Sequence, residues 1–178
     1  VQAVDERGYA SFLSEPARVG PASATIVARP LGVTLETAHP GFTEAGYLTL
    51  ARDRNVEVTL RVRVPRAGWY AIDARYANGN GPVNTEDKSA LRTLLVDGLE
   101  RGVLVMPQRG VDRWSDWGWT NVVRVRLAAG THTVTLRYTP LDENMNRREN
   151  TALLDHVRLA RLATPTPIPA PRRAPRTR

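Results

Sequence analysis

Short alternating segments separated by turn residues restrict the fold of this chain more than any other feature. Over residues 56–64 (VEVTLRVRV) five apolar residues alternate with four polar ones. This period of two predicts a β-strand with one face in the core and the other in water. Further strand-like segments follow at roughly ten-residue spacing. They are residues 69–76, 91–96, 103–106, 122–127, 133–139 and 152–159.

The connections between these segments predict how the strands pair. Asp97-Gly98 is a pair favoured in tight β-turns, and Ala128-Ala129-Gly130 separates another two strands. About eight short strands without a long helix or a helical crossover favour antiparallel over parallel pairing. The sequence therefore predicts an all-β fold, an antiparallel β-sandwich of the jelly-roll type.

Length and charge predict one domain with two flanking segments. We assign residues 33–162 to the sandwich, residues 1–32 to a lead-in or linker, and residues 163–178 to a tail. A short helix over residues 5–14 is an open alternative for part of the lead-in. The net charge of +7 includes four arginines of the proline-rich tail, TPTPIPAPRRAPRTR. Because the remaining charge is small, we expect no specific nucleic-acid partner.

Several functional classes lack their usual residues. The chain has no cysteine, so it has no disulfide, zinc-thiolate site or cysteine nucleophile. No run of about 18 apolar residues suggests a membrane span. His39, His132 and His156 are isolated from one another and show no metal-ligand spacing. Acids at residues 86–87 and 142–143 would form a glycosidase pair only if their two loops met.

Aromatic residues are concentrated in one polar segment. Trp114, Trp117 and Trp119 lie within six residues, interleaved with glycine, serine and aspartate. A flat apolar ring beside hydrogen-bonding groups is suited to stacking on a sugar or a base. The alternative for Trp117 or Trp119 is a lid on the hydrophobic core. The two long polar segments at residues 77–89 and 141–150 are further candidates for a binding loop.

Seven motifs run in an order that resembles carbohydrate-binding module family 35, within the group of families 6 and 35. The match covers about residues 33–162, and RYANG followed by W-x-x-W and L-x-x-G is its most specific part. The motifs are GYL at 46–48, AGWY at 67–70, RYANG at 75–79, VDG at 96–98, WSDW at 114–117, LAAGTHTVTL at 127–136 and LDHV at 154–157.

The resemblance implies a β-jelly-roll module that does no chemistry itself. Such modules are usually appended to a bacterial glycoside hydrolase or polysaccharide lyase and hold it on its glycan. In these families the common ligand cleft lies in loops at one end of the sandwich, and its tyrosine, tryptophan and asparagine match Tyr47, Trp114 and Asn150. The residues that we expect to contact sugar are Tyr47, Trp114, Trp117, Asn78, Asn84 and Asn150.

The resemblance also implies a structural calcium ion and a range of ligands. The families use a glutamate pair and an aspartate of the last strand; here Glu36 and Asp155 match, but the second glutamate is missing. Ligands in family 35 include uronic acids, galactosides and mannans. Arg92 follows a loop and is a candidate to pair with a uronate carboxylate; the alternatives are a solvated side chain or an ion pair with Glu86 or Asp87.

The sequence thus predicts a secreted, periplasmic or cell-surface carbohydrate-binding module. We expect a glycan or uronic-acid-containing ligand, calcium as an optional structural ion, no membrane contact and a monomeric state. A non-enzymatic structural or adhesive sandwich of a cell-surface protein is the second hypothesis, and a glycan-active enzyme is the third.

Overall fold

Ten strands form two antiparallel sheets in the computed structural model, which describes residues 25–28, 33–81 and 87–162. The only helical element among these residues is a three-residue 3₁₀ helix, Pro140–Asp142. The strands are β1 (Thr25–Ala28), β2 (Leu48–Leu50), β3 (Glu57–Val64), β4 (Gly68–Ala77), β5 (Ala90–Val96), β6 (Leu99–Met106), β7 (Gly118–Trp119), β8 (Val123–Leu127), β9 (Gly130–Arg137) and β10 (Ala152–Arg161).

Each sheet is built around its long strands. In the first sheet β4 and β10 pair at the centre, β1 and β2 both pair with the other side of β10, and β7 and β8 both pair with the other side of β4. The second sheet has the order β3-β9-β5-β6. This arrangement confirms the predicted antiparallel sandwich.

The core forms where the apolar faces of the two sheets meet. Strand β3 shows the predicted alternation: Val58, Leu60, Val62 and Val64 are buried, and Glu57, Thr59, Arg61 and Arg63 are exposed. Val56, which the pattern also placed in the core, precedes the strand and is exposed. Facing the buried side chains of β3 from the first sheet are residues such as Ile72, which is fully buried on β4. Burying one such side chain contributes about 1.5–3 kcal/mol relative to leaving it in water.

The sandwich begins earlier than the sequence predicts. Strand β1 (Thr25–Ala28) pairs with β10, with Ile26 and Ala28 toward the core, so the boundary at residue 33 is too late. Four residues carry too little alternation to reveal a strand, and this one is defined by its pairing partner. The helix considered for residues 5–14, the site residue Asn84 and the tail lie outside the described residues. Within the described part, no helix is long and apolar enough to span a membrane.

The two ends of the sandwich differ in their connections. One end carries tight turns, including Asp97-Gly98 between β5 and β6, where both residues have a positive φ (53° and 77°) as the sequence predicts for this pair. The other end, here called the loop end, carries the long connections at residues 33–47, 78–89, 107–117 and 138–151. The sheets therefore bring the described parts of these long connections to one end of the sandwich.

At the tight-turn end a histidine–aspartate pair joins the start of β9 to the β5–β6 turn. His132 Nδ1 lies 2.6 Å from Asp97 Oδ2, and His132 Nε2 lies 3.0 Å from the carbonyl oxygen of Ala128. The hydrogen bond to Asp97 is the main cause of a raised His132 pKa. For Asp97, partial burial alone would raise the pKa, but the hydrogen bonds from His132 and Thr133 outweigh it and lower the pKa. Protonated His132 can donate to both acceptors, so this pair favours the charged ring.

We expect this pair to make stability depend on pH. A raised folded-state pKa means that protonated His132 contributes its full stabilisation below the unfolded value of 6.5, and that the contribution is lost as pH rises through the folded-state pKa. Thermal unfolding of the chain should therefore show a midpoint that falls as pH rises from 6.5. In His132→Gln this fall should disappear; an unchanged pH profile in the variant would assign the dependence to another group.

Candidate functional site

Five aromatic rings form a contiguous cluster at the loop end, here called the aromatic cluster: His39, Phe42, Tyr47, Trp114 and Trp117. The ring centroids lie 6.0 Å apart for His39 and Trp114, 5.8 Å for Phe42 and Tyr47, and 5.5 Å for Tyr47 and Trp117. The cluster rests on Ala77 and Leu153, at neighbouring ends of β4 and β10. The fold thus brings the predicted tyrosine and two predicted tryptophans together.

Tyr47 is the most deeply buried ring of the aromatic cluster. Its side chain is only 1 % exposed, and its hydroxyl accepts a hydrogen bond from the backbone nitrogen of His39 at 3.3 Å. Burial raises the pKa of the phenol. Phe42 and Trp117 pack against its ring, so Tyr47 presents no open face in this arrangement, and its sugar contact stays a prediction. Tyr47 positions the rings above it.

Trp117 is half-buried and fixed at several points. Its indole Nε1 donates to the carbonyl of Pro40 at 2.9 Å, and the Arg75 guanidinium lies 5.4 Å from its ring centroid. The ring also packs on Gly41, where an added Cβ would lie 2.9 Å from the indole. Trp117 thus combines the two functions considered from the sequence, since it covers Tyr47 and keeps part of its surface in solvent.

Trp114 is half-buried on a rigid base. Its ring lies flat against Gly79, where an added Cβ would approach three ring atoms to 2.7 Å. No described residue accepts a hydrogen bond from its indole N–H. The glycine of the RYANG motif is therefore required for the position of the ring, and one edge of Trp114 keeps its donor available.

A shallow depression beside Trp114 is lined by Asp112, Arg113, Ser115 and Asp116. Asp112 has a φ of +57°, a conformation that non-glycine residues rarely adopt, and its backbone nitrogen donates to Gly79 at 2.9 Å. Asp116 forms an ion pair with Arg109 at 3.1 Å. The surface next to the indole therefore carries two carboxylates, a guanidinium and a hydroxyl on a loop held by backbone hydrogen bonds.

Two of the predicted asparagines, Asn78 and Asn150, hold loops. Asn78 is fully buried; its amide nitrogen donates to the carbonyls of Lys88 and Met106, and its oxygen accepts from Asn80. Asn150 is 2 % exposed, and its oxygen accepts from Arg92 while its nitrogen donates to the carbonyl of Asp142. Both amides are thus engaged with the protein, and the ligand contacts at these positions stay predictions.

Arg92 is also internal. It is fully buried, and it donates to Asn150 Oδ1 at 2.6 Å and to the backbone carbonyls of Leu91, Ala51 and Asn150. Its guanidinium lies 5.2 Å from the ring centroid of Tyr138, and burial lowers its pKa to about 10. Neither a uronate contact nor a solvated side chain is compatible with this position. Arg92 fastens the 138–151 loop to β5.

The candidate calcium ligands are each occupied by protein donors. Asp155 accepts from Thr43 Oγ1 at 2.9 Å and from Arg75 Nη1 at 2.5 Å. Burial alone would raise the Asp155 pKa, but the hydrogen bonds from His156, Arg75 and Thr43 lower it to about 2. Glu36 forms an ion pair with Arg54 at 2.9 Å. The described residues contain no group of three or more metal-ligating side chains, so Glu36 and Asp155 do not fit the implied calcium site.

We expect the stability of this chain to be independent of calcium, because Arg75 supplies the positive charge that Asp155 faces. Thermal unfolding in excess chelator and in added calcium chloride should give the same midpoint. Asp155→Asn should lower the midpoint equally in both solutions. A midpoint that rises with calcium in the natural chain and not in Asp155→Asn would instead restore Asp155 as a metal ligand.

The loop acids considered as a glycosidase pair are held by other side chains. Asp142 is 1 % exposed and accepts from Thr93 Oγ1 at 3.0 Å. Glu143 pairs with Arg52 at 2.5 Å and accepts from the Tyr138 hydroxyl at 2.7 Å. Glu86 lies outside the described residues. The described acids of these loops thus support the loop structure.

No protein-family model matches the chain. A cycloisomaltooligosaccharide glucanotransferase of Niallia circulans is 31 % identical over 104 residues, which are 58 % of this chain and 10 % of that protein. An exo-beta-D-glucosaminidase of Amycolatopsis orientalis is 30 % identical over 133 residues, 75 % of this chain and 12 % of that protein. The chain thus spans about a tenth of the length of these relatives.

Solved structures agree with the sequence motifs. A family 35 carbohydrate-binding module from Clostridium thermocellum superposes with a TM-score of 0.55 at 19 % identity, covering 77 % of this chain and 98 % of that one. A cycloisomaltooligosaccharide glucanotransferase from Paenibacillus sp., complexed with cycloisomaltoheptaose, gives a TM-score of 0.54 at 26 % identity over 77 % of this chain and 17 % of that one. The resemblance to family 35 is confirmed: the chain has the fold of these modules.

Proposed function

We propose that this chain, which has the family 35 fold, is a non-catalytic carbohydrate-binding module that holds a larger glycan-active enzyme on its substrate. The relatives are enzymes about ten times longer than the matched segment, and this supports a module within an enzyme. Such a module works where polysaccharides are found, so the proposal includes a location outside the cytoplasm and a monomeric module.

The observation that carries this proposal is the setting of Trp114. Its ring is held against Gly79, its indole N–H has no acceptor among the described residues, and a depression with hydrogen-bonding side chains adjoins it. A sugar ring presents C–H surface to an aromatic face and hydroxyls at its edge, which is the combination that this surface complements. Because the base is rigid, little conformational entropy is lost on binding.

The charges beside Trp114 are mixed, and this suits a neutral glycan. Asp112, Arg113 and Asp116 all line the depression, and Asp116 is paired with Arg109, so positive and negative groups are balanced there. The names of two similar enzymes, both cycloisomaltooligosaccharide glucanotransferases, point to glucose oligomers. The proposed ligand class is therefore a neutral gluco-oligosaccharide, with an amino sugar as a second choice because the carboxylates would attract a cation.

Calorimetric titration of the full chain with isomaltooligosaccharides, chitosan oligomers and oligogalacturonates tests this assignment. We expect saturable binding of the isomaltooligosaccharides that is unchanged by a chelator. Replacing both carboxylates (Asp112→Asn with Asp116→Asn) should weaken binding of chitosan oligomers more than that of the neutral sugars. Absence of binding to every neutral and amino sugar tested would contradict the proposal.

A further inference from the structure

A second exposed aromatic surface lies on the outer face of the first sheet, at the tight-turn end. Trp69, near the start of β4, is 53 % exposed, compared with 39 % for Trp119, while Trp114 and Trp117 are half-buried. No described aromatic ring or cation covers its indole. Its flat apolar face is therefore open for stacking on a sugar ring.

Two arginines lie beside Trp69 on the same face. Arg126 of β8 is directly opposite Trp69 in the antiparallel register, and Arg124 is opposite Ala71. Residues two apart on a strand share a face, so the three side chains form one patch, here called the basic strip: Trp69, Arg124 and Arg126. Both arginines are exposed, and Arg126 makes no ion pair with any described residue.

Small side chains surround Trp69 on β4 and β10, and the described acids of this face are paired with arginines. Ala71 and Ala160 pair with each other next to Trp69, and their small side chains leave the indole standing above the sheet. The nearest acid along β4 is Asp73, which is 5 % exposed and accepts from Arg158 Nε at 2.9 Å. On the described part of this face, the remaining acid, Asp155, is paired with Arg75.

The basic strip is separate from the aromatic cluster. Trp69 and Ala77, which supports the cluster, are eight residues apart on β4, which corresponds to roughly 26 Å along an extended strand. A small ligand cannot contact both. The two surfaces also differ in charge, since acids and arginines are mixed beside Trp114, whereas the described neighbours of Trp69 on β8 are arginines.

We propose that the basic strip is a second glycan site that binds an acidic polysaccharide, with Trp69 stacked on a sugar ring and Arg126 paired with a sugar carboxylate. A guanidinium matches the geometry of a carboxylate in a bidentate pair, and the exposed indole supplies the apolar contact. Arg124 lies one row along the sheet on the same face. The aromatic cluster keeps its neutral ligand.

Affinity electrophoresis and calorimetry of the full chain with polygalacturonate and with dextran test the second site. To remove the contribution of the tail, the four arginines at 172, 173, 176 and 178 are replaced by serine in every protein compared. We expect Trp69→Ala and Arg126→Gln each to weaken polygalacturonate binding at least tenfold and to leave dextran binding unchanged. Trp69→Tyr should retain most of the affinity.

Two control variants distinguish failure of this proposal from failure of the first. Arg63→Gln removes one exposed charge from the outer face of the other sheet and should not change polygalacturonate binding. Trp114→Ala should weaken dextran binding about thirtyfold without affecting polygalacturonate. The second site is refuted if Arg63→Gln weakens polygalacturonate binding as much as Arg126→Gln, if Trp69→Ala has no effect, or if a DNA fragment of equal charge binds as tightly as polygalacturonate.

Discussion

Replacing Arg92 with alanine is expected to lower the free energy of unfolding by about 3 kcal/mol or more, because a buried hydrogen-bonded charge leaves several partners unsatisfied when it is removed. The guanidinium is fully buried and donates to Asn150 and to three backbone carbonyls. In the variant these oxygens would remain in the interior without that donor. Chemical denaturation followed by tryptophan fluorescence measures the loss.

Related variants separate the charge of Arg92 from its shape. Arg92→Lys keeps the charge but cannot reach the same set of acceptors with one ammonium group, so we expect an intermediate loss of stability. Arg61→Ala on β3 removes an exposed arginine and should change stability by no more than about 0.5 kcal/mol. Equal stability of Arg92→Ala and Arg61→Ala would show that the guanidinium does not fasten the 138–151 loop.

Arg92 lies on β5, a strand whose sequence does not alternate between apolar and polar residues. Strand β5 reads ALRTLLV, a nearly continuous apolar run without the polar positions that mark the exposed face of β3. Such a run predicts burial on both faces, and this signal could have placed Arg92 inside. Two of its partners, Ala51 and Asn150, lie 41 and 58 residues away in the chain. No local pattern indicates which groups accept hydrogen bonds from Arg92.

The strands were predictable because their signal is local. The alternation of β3 and the Asp97-Gly98 turn each depend on a few adjacent residues, and both have the predicted geometry. Strand β1 was missed because only its pairing with β10 defines it. The sequence alone could therefore predict the sandwich and most of its elements but not where its first strand begins.

The clustering of the aromatic rings was predictable from the sequence, and the surroundings of the asparagines were not. Clustered tryptophans indicate a surface use because a loop cannot bury all of them, and Trp114 and Trp117 do remain half-exposed. An asparagine gives no such indication, since its amide bonds equally well to a sugar or to a backbone carbonyl. Asn78 and Asn150 bond to the backbone. His39 was missed because only the folded 33–47 loop brings it to Trp114.

Replacing Trp114 with alanine is expected to weaken binding of isomaltooligosaccharides by about 2 kcal/mol, since truncation removes both the stacking area and the dispersion contacts of a central aromatic residue. The ring also packs on Gly79 and near His39, so some loss of stability accompanies the change. Calorimetric titration well below the melting temperature of the variant isolates the effect on binding.

The position of the indole and its chemistry can be tested separately. Gly79→Ala adds a Cβ that would lie 2.7 Å from the Trp114 ring, so the indole must move although every ligand-contacting group is kept. We expect this variant to bind glycan more weakly as well. Trp119→Ala removes an indole of the sheet face, where Arg158 lies 3.6 Å from the ring centroid, and should leave affinity unchanged. If Trp114→Ala retained full affinity, or lost no more than Trp119→Ala, sugar binding would have to be assigned outside the aromatic cluster.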